Sequence, residues 1–222
     1  MTKVAYFGVP GSYSEIATIN AFDENIERVS FSEIDEIFRA VEKRNADYGV
    51  VPIENSSAGS INQTYDELMN SKLLIVGEHF QKIGHCLLSK SSSISTIKRV
   101  YSHPQALAQC SKFLKKHKFE QLATSNTAES VKYLTDNEKA IIASSKAASI
   151  YGLNILSRNI EDDKNNTTRF IIVARHESKK RENCKTSVVF RTKHVPAALY
   201  KCLGGFATNG INLTKIESRP DG

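Results

Sequence analysis

Short apolar runs alternate with helix-period stretches twice along these 222 residues, and that alternation constrains the fold more than any other feature. KVAYFGV (3–9) reads as a buried strand, and GSYSEIATINAF after it supplies hydroxyls at a helix start with apolar residues beyond. ERVSF (27–31) is a second strand. Ser32 with Asp35 then makes an acidic capping box ahead of Ile34, Ile37, Phe38 and Val41, which recur on one helical face. YGVVPI (48–53) is a third strand and runs into ENSSAGSINQT, followed by a helix carrying Tyr65, Leu68 and Met69. The plan repeats in KRVYS (98–102), in a helix opened by Pro104 with Leu107, Cys110, Phe113 and Leu114 as its buried stripe, in QLATS (121–125), in a helix from Thr127, in KAIIAS (139–144), and in a short helix ending near Gly152. LLIVGEHFQKIGHCLLS (73–89) passes from the first set of strands to the second, and LNILSRNI and RFIIVAR carry the chain back. The expected fold class is α/β: two lobes of parallel-type sheet with helices on both faces, joined by crossing strands with a ligand cleft between them.

Charge and cysteine usage exclude several classes of function. The net charge of +6 is concentrated in KKHK (115–118), on an amphipathic helix, and in KKRENCK (179–185), which reads as a linker. Neither interleaves aromatics with its basic residues, so nucleic acid is not an expected partner. No apolar run approaches the roughly 20 residues of a membrane helix, and MTKVAYFG enters a strand without a signal-peptide pattern. No membrane association is expected, and the expected location is cytoplasmic. Cys86, Cys110, Cys184 and Cys202 are scattered without CxxC or Cys/His spacing, as reduced thiols are and zinc ligands are not. GVPG (8–11) is not a GxGxxG and no Walker pattern is present, so neither a metal nor any cofactor is expected.

In open α/β sheets, ligands sit beyond the carboxyl ends of strands, where helix N-termini present free N–H groups. This chain puts neutral donors there: Ser12 and Ser14, then Asn55, Ser56 and Ser57, then Ser102, His103 and Gln105, then Asn126 and Thr127. Gln105 and Gln109 lie one helical turn apart and can share a face. Each has a plainer reading. Ser and Asn at helix starts are commonly caps, His103 before a proline is commonly a turn or packing residue, and Glu54 serves equally as a loop partner or a base. Convergence of many donors is more informative than any one of them.

VPIENSSAGS (51–60), SHPQALAQC (102–110), SNTAES (125–130), KAIIASSKAASIYGLNIL (139–156) and NIEDDKNNTTRF (159–170) occur in the order and spacing of prephenate dehydratases, and the whole chain resembles that family. YFGVPGSYSEIA resembles the family's first strand and loop, with Ser12 and Tyr13 where Thr and Phe are usual. TSVVFR, VPAALYKCLGGFATNG and INLTKIESRP then resemble the strand, helix and strand of the first half of an ACT regulatory module, with Ala197 where glycine is common. The resemblance implies a first lobe of residues 1–77 with 158–178, a second of 78–157, a linker of 179–185 and a partial ACT domain of 186–222. A piece of that size cannot close a core of its own, so the rest of the module is expected outside this sequence.

The resemblance also implies a reaction, in which prephenate loses carbon dioxide and its ring hydroxyl to give phenylpyruvate. It implies Thr168 as the acid or donor and Asn55, Ser56, Ser102, Gln105, Gln109, Asn126, Thr127 and Arg169 as substrate-binding groups. Successive strand residues point to opposite faces, so Thr168 toward the cleft leaves Thr167 in the loop and turns Arg169 toward a structural role. Phenylalanine is the implied effector, bound near Asn209, Gly210, Ile211, Asn212, Leu213, Glu217, Ser218 and Arg219 in a homodimer or homotetramer. Two alternatives stand beside this: a dehydratase preferring arogenate, and a non-catalytic amino-acid sensor, since two lobes with a cleft are also periplasmic-binding-protein-like.

Overall fold

Strand period and helix period sort the side chains of the first lobe onto two faces of one sheet. The computed structural model describes residues 1–179 and 182–219. In strand β1 (Lys3–Phe7), Ala5 faces one side while Val4 and Tyr6 face the other. The same alternation separates Val51 and Ile53 from Val50 in β3 (Tyr48–Asn55). Helix α1 (Tyr13–Phe22), capped by the Ser12 hydroxyl, follows β1 and covers the Val4, Tyr6 and Val50 face with Ala17. β2 (Glu27–Phe31) leads into α2 (Ile34–Glu42), whose Ile34, Ile37, Phe38 and Val41 are 0–2 % exposed and fill the other face. Burying each of these contributes about 1.5–3 kcal/mol. The helix is capped by Glu33, one residue later than expected: Glu36 rather than Asp35 reaches back to the Glu33 N–H, at 3.3 Å. A two-residue strand β4 (Gly59–Ser60), helix α3 (Asn62–Asn70) and strand β5 (Leu74–Lys82) complete the first pass.

The second lobe repeats the arrangement. Its elements are β6 (Cys86–Ser89), β7 (Arg99–Ser102), α4 (Pro104–Gln109), α5 (Ser111–His117), β8 (Glu120–Ala123), α6 (Thr127–Lys132), β9 (Lys139–Ala143), α7 (Ser145–Tyr151) and β10 (Asn154–Ser157). The expected single helix after Pro104 is broken at Cys110, yet Leu107, Cys110 and Leu114 still pack on Leu87, Val100 and Ile142. The opposite face joins Leu88, Tyr101 and Ile141 to Ala147 and Ala148 of α7. Gly152, at φ +63, ends α7 in the left-handed conformation a helix C-cap favours.

Two features of the sheets correct the expectation of parallel lobes. The first sheet has the order β2-β1-β3-β11-β5, with β4 beside β3, and the second β10-β6-β9-β7-β8. β1 is parallel to β2 and β3, but the returning strand β11 (Thr167–Ala174) is antiparallel to both β3 and β5; likewise β7 is parallel to β8 and β9, while β6 is antiparallel to β9 and β10. The sheets are mixed because the strand that enters each lobe from the crossing, β6 in one and β11 in the other, runs against both of its neighbours. β5 pairs with β11 as far as Lys82, opposite Thr167. The boundary expected at 77/78 therefore cuts through a strand, and the crossing lies at residues 83–85.

The chain divides into two units, residues 1–182 and 183–222. In the second, the described residues form one helix, α8 (Ala198–Thr208), and no strand. The strands expected from TSVVFR and INLTKIESRP are absent among the described residues, since period-2 patterning marks a segment suited to a sheet but supplies no neighbouring strand to bond. The ends of α8 follow the sequence. Ala197, where glycine is common in the resembled module, sits at φ +60, and Gly210 at φ +67 closes the helix with its N–H on Ala207 O (3.1 Å) and the Ile211 N–H on Phe206 O (3.0 Å), a Schellman motif. Part of the linker (Lys180 and Arg181) and the last residues expected for the module (Pro220, Asp221 and Gly222) lie outside the described residues.

Candidate active site

The antiparallel register of β11 on β3 sets Thr168 directly opposite Asn55, at the carboxyl edge of the first sheet. Asn55 is 6 % and Thr168 8 % exposed. The Asn55 side-chain oxygen, Oδ1, accepts the backbone N–H groups of Ser57 (3.0 Å) and Ala58 (2.9 Å), which fixes which way the amide points. Its Nδ2 must then face β11, where it donates to Thr168 Oγ1 at 2.9 Å and to Asn166 Oδ1 at 2.8 Å. The Thr168 hydroxyl thus accepts from Asn55, and its own proton meets no protein acceptor among the described residues. The same logic explains Asn166 Nδ2, a buried donor with no partner among the described residues: turning the Asn166 amide over would set its nitrogen against that of Asn55.

Neighbouring residues hold this network in place. Ser56 bonds the loop through its backbone N–H to Thr167 O (2.9 Å), and its Oγ accepts the Thr167 N–H (3.0 Å). The Thr167 hydroxyl donates to Asn165 O at 3.0 Å, turned back on its own loop. Arg169 pairs with Glu78 (2.8 Å) and Glu54 (3.9 Å), carboxylates of the adjacent strands β5 and β3. Strand alternation thus turns it from Thr168, and its guanidinium is engaged by protein carboxylates.

A second network lies in the crossing between lobes. His85, 5 % exposed, sits just before β6, and its Nε2 is 2.9 Å from Gln109 Oε1 at the end of α4. Tyr13, at the start of α1, donates its O–H to Gly84 O at 2.8 Å and stands edge-on to the His85 ring. Burial lowers the His85 pKa, against smaller opposing effects of the Gln109 bond and the Glu161 carboxylate, and raises that of Tyr13, so both are neutral near pH 7. The crossing strands are stitched together: Ile83 N–H to Asn166 O (2.9 Å), Ile160 N–H to His85 O (3.0 Å), and His85 N–H to Glu161 Oε2 (2.8 Å). Asp162 accepts the Ser111 hydroxyl and Lys112 N–H at the start of α5, and Asp163 the Ser57 hydroxyl. The acidic run of EDDKNNTTRF is thus a joint tying both lobes to the crossing.

The remaining candidates have local partners. The Ser102 hydroxyl donates to Ile142 O at 2.8 Å, and His103 caps α4 by accepting the Gln105 N–H. The Gln105 side chain is exposed. Asn126 caps α6 through the Glu129 N–H at 2.9 Å, and Thr127 is the first residue of that helix. Asn209 and Gly210 close α8, Ile211 and Leu213 are exposed, and Glu217 pairs with Lys215 at 3.7 Å. Ser218 is exposed, and Asn212 and Arg219 also lie beyond that helix. His85, Asn166 and Glu161 were not singled out from sequence; a lone histidine between two strands carries no periodic signal, and the motif around Asn166 and Glu161 marked the segment but not their contacts. Among the described residues no group of His, Cys, Asp and Glu could hold a metal ion, and no helix is long and apolar enough to cross a membrane. A surface depression of about 510 Å³ lined by Asp47, Tyr48, Arg175 and His176 lies at the amino end of β3, away from the Asn55 network at its carboxyl end. We place the site at the carboxyl end, where open sheets present their loops to ligands.

Fold and site together define a two-lobed α/β protein whose crossing strands carry neutral hydrogen-bond donors. Residues 4–178 match the prephenate dehydratase family, and the chain belongs to that family. It is 46 % identical over 224 aligned residues to arogenate dehydratase/prephenate dehydratase 2, chloroplastic, of Arabidopsis thaliana, covering 98 % of this chain and 58 % of that protein. The chain thus spans less than two thirds of the length of that curated relative. The solved prephenate dehydratase of Arthrobacter aurescens in complex with L-Phe superposes with a TM-score of 0.86 at 29 % identity, covering 99 % of this chain and 77 % of that one. GqqA, described as a novel type of quorum quenching acylase, superposes with a TM-score of 0.82 at 30 % identity, covering 99 % of this chain and 82 % of that one.

Proposed function

We propose that this chain converts prephenate to phenylpyruvate, with Thr168 as the donor to the leaving hydroxyl. The observation that carries this reading is the Asn55 to Thr168 bond, which orients the hydroxyl and leaves its proton for a ligand. Prephenate dianion and one proton give phenylpyruvate anion, carbon dioxide and water. The electron pair of the breaking carbon–carboxylate bond completes the aromatic ring as the carbon–oxygen bond breaks, so the protein need only hold the anion and stabilise charge on the departing oxygen. A fixed neutral donor suits that task. Asn55 and Ser56 hold Thr168 and its loop. Gln109, Ser102, Gln105, Asn126 and Thr127 are the further candidates for contact with the substrate, and Arg169 holds β11 to its neighbours. An acyl-transfer role for Thr168 is disfavoured, because its hydroxyl is bonded to an amide rather than to a base that would make it a nucleophile.

The Arabidopsis relative is named for both arogenate and prephenate, so both are candidate substrates here. Purified protein is incubated with each, and phenylpyruvate or phenylalanine is followed by chromatography. A folded protein that consumes neither refutes the reading.

The second unit is proposed to bind phenylalanine around residues 209–213 and 217–219 and to pair with another copy. Support comes from the L-Phe complex of the Arthrobacter relative and from the exposed Val188, Val189, Phe190, Tyr200 and Ile216, apolar side chains a partner module would cover. Buried thiols at Cys86 and Cys110 suit a reducing cytoplasm.

A further inference from the structure

His85 is held from three sides by elements far apart in sequence. Its backbone N–H is on Glu161, its ring meets the edge of Tyr13 at a centroid distance of 5.6 Å, and its Nε2 meets Gln109 Oε1 at 2.9 Å. This ring has two ways to be neutral, and they have opposite consequences for Gln109. With the proton on Nε2, the ring donates to Oε1, and the Gln109 NH2 group faces away. With the proton on Nδ1, Nε2 becomes an acceptor, the amide turns over to donate to it, and Gln109 presents its oxygen instead.

The surroundings select between the two. Tyr13 has one hydroxyl proton and gives it to Gly84 O at 2.8 Å, so its contact with Nδ1, at 3.5 Å, offers neither a proton nor a short acceptor. Gln109 sets its Oε1, an atom that can only accept, 2.9 Å from Nε2, and that bond requires the proton on Nε2. The Gln109 NH2 group then has no protein acceptor among the described residues, and its half-buried side chain can turn that donor toward a ligand.

We propose that His85 is a positioning residue that fixes the polarity of Gln109, donor outward, and thereby makes the site prefer a keto acid over the corresponding amino acid. This rests on the dehydratase reading above. Prephenate and arogenate differ where a carbonyl oxygen, which accepts, is replaced by an ammonium, which only donates. An outward NH2 group favours the first and repels the second.

The test compares the ratio of kcat/KM for prephenate to that for arogenate in the parent, in His85→Met and in His85→Gln. Met keeps the bulk without a donor and should lower the ratio about tenfold or more, as expected when a donor is lost from a polar contact. Gln can present either an N–H or an oxygen near the place of Nε2, so it holds the polarity of Gln109 only in part, and the ratio should fall between those of the parent and His85→Met. A general packing defect would lower both substrates together; an unchanged ratio in His85→Met overturns the proposal, as does a parent that prefers arogenate. If the parent turns over neither substrate, it is the dehydratase reading that fails. Should His85→Met not fold, the ¹⁵N shifts of the parent His85 ring decide: an Nε2–H tautomer supports the proposal and an Nδ1–H tautomer overturns it.

Discussion

Asn55 donates to Thr168 across the β3–β11 ladder, with 2.9 Å between amide nitrogen and hydroxyl oxygen, while the adjacent Thr167 turns its hydroxyl back on Asn165 O. Two threonines in sequence therefore have different partners: one is held by another strand with its proton to spare, the other is spent on its own loop.

Thr168→Val keeps the branched shape and removes the donor. Turnover of prephenate should fall by ~10²–10³, the usual effect of losing one donor to a developing oxyanion, with KM much less changed. Thr168→Ser should retain part of the activity, and Thr167→Val should be close to the parent. Steady-state kinetics on the three variants checks this, and a silent Thr168→Val removes the residue from the chemistry.

Asn55→Asp separates architecture from function. One carboxylate oxygen can still accept the Ser57 and Ala58 N–H groups, and the other now accepts from Asn166, whose amide turns over and gives its buried NH2 group a partner. Thr168 would then donate to the introduced carboxylate and no longer to a ligand. Turnover should drop ~10²-fold while Tm moves by less than about 4 °C, the shift expected for roughly 1 kcal/mol. Parallel loss of Tm and activity would mean that Asn55 acts only through folding.

His85 predicts a pH dependence of stability. Burial lowers its folded pKa below the unfolded value of about 6.5, so between the two values the unfolded chain binds more protons. Its contribution is complete above about pH 6.5 and is lost as pH falls toward the folded pKa. The groups facing it are the Glu161 carboxylate and the Tyr13 phenol, and the latter stays protonated throughout because burial raises its pKa. Melting temperatures measured from about pH 8 to about pH 5.5 should fall more steeply in the parent than in His85→Gln. Coincident slopes would assign the acid sensitivity to other groups.

Gly11 and Gly59 have nearly the same φ, +83 and +81, but different surroundings. A Cβ on Gly11 would meet Ala147 Cα at 3.0 Å, where the loop after β1 touches α7 and accepts the Ser144 hydroxyl at 2.5 Å; one on Gly59 meets nothing within 4 Å. Gly59→Ala should cost about 1–2 kcal/mol, the conformational penalty alone. Gly11→Ala should cost about 1–3 kcal/mol more, from overpacking between lobes. Denaturant melts of the two variants measure the difference, and equal values would show that this contact yields freely.

The sequence by itself determined what depends on near neighbours along the chain. Period two put Thr168 and Arg169 on opposite faces of β11, helix period gave α2 its Ile34, Ile37, Phe38 and Val41 stripe, and local bonding rules put a cap at Asn126 and a left-handed stop at Gly152 and Gly210. Only the tertiary structure decided which strand each segment pairs with: β11 runs against β3, β5 stays in the first sheet to Lys82, and the segments after Asn183 that read as strands form no ladder among the described residues. The site divides the same way. Asn55 and Thr168 stood in recognisable segments, but the bond between them spans 113 positions, and His85, Gln109 and Tyr13 meet only because two chain crossings and two helix ends converge. Periodicity records which face a residue occupies; the identity of its partner is set by loop closure over long separations, which leaves no local mark.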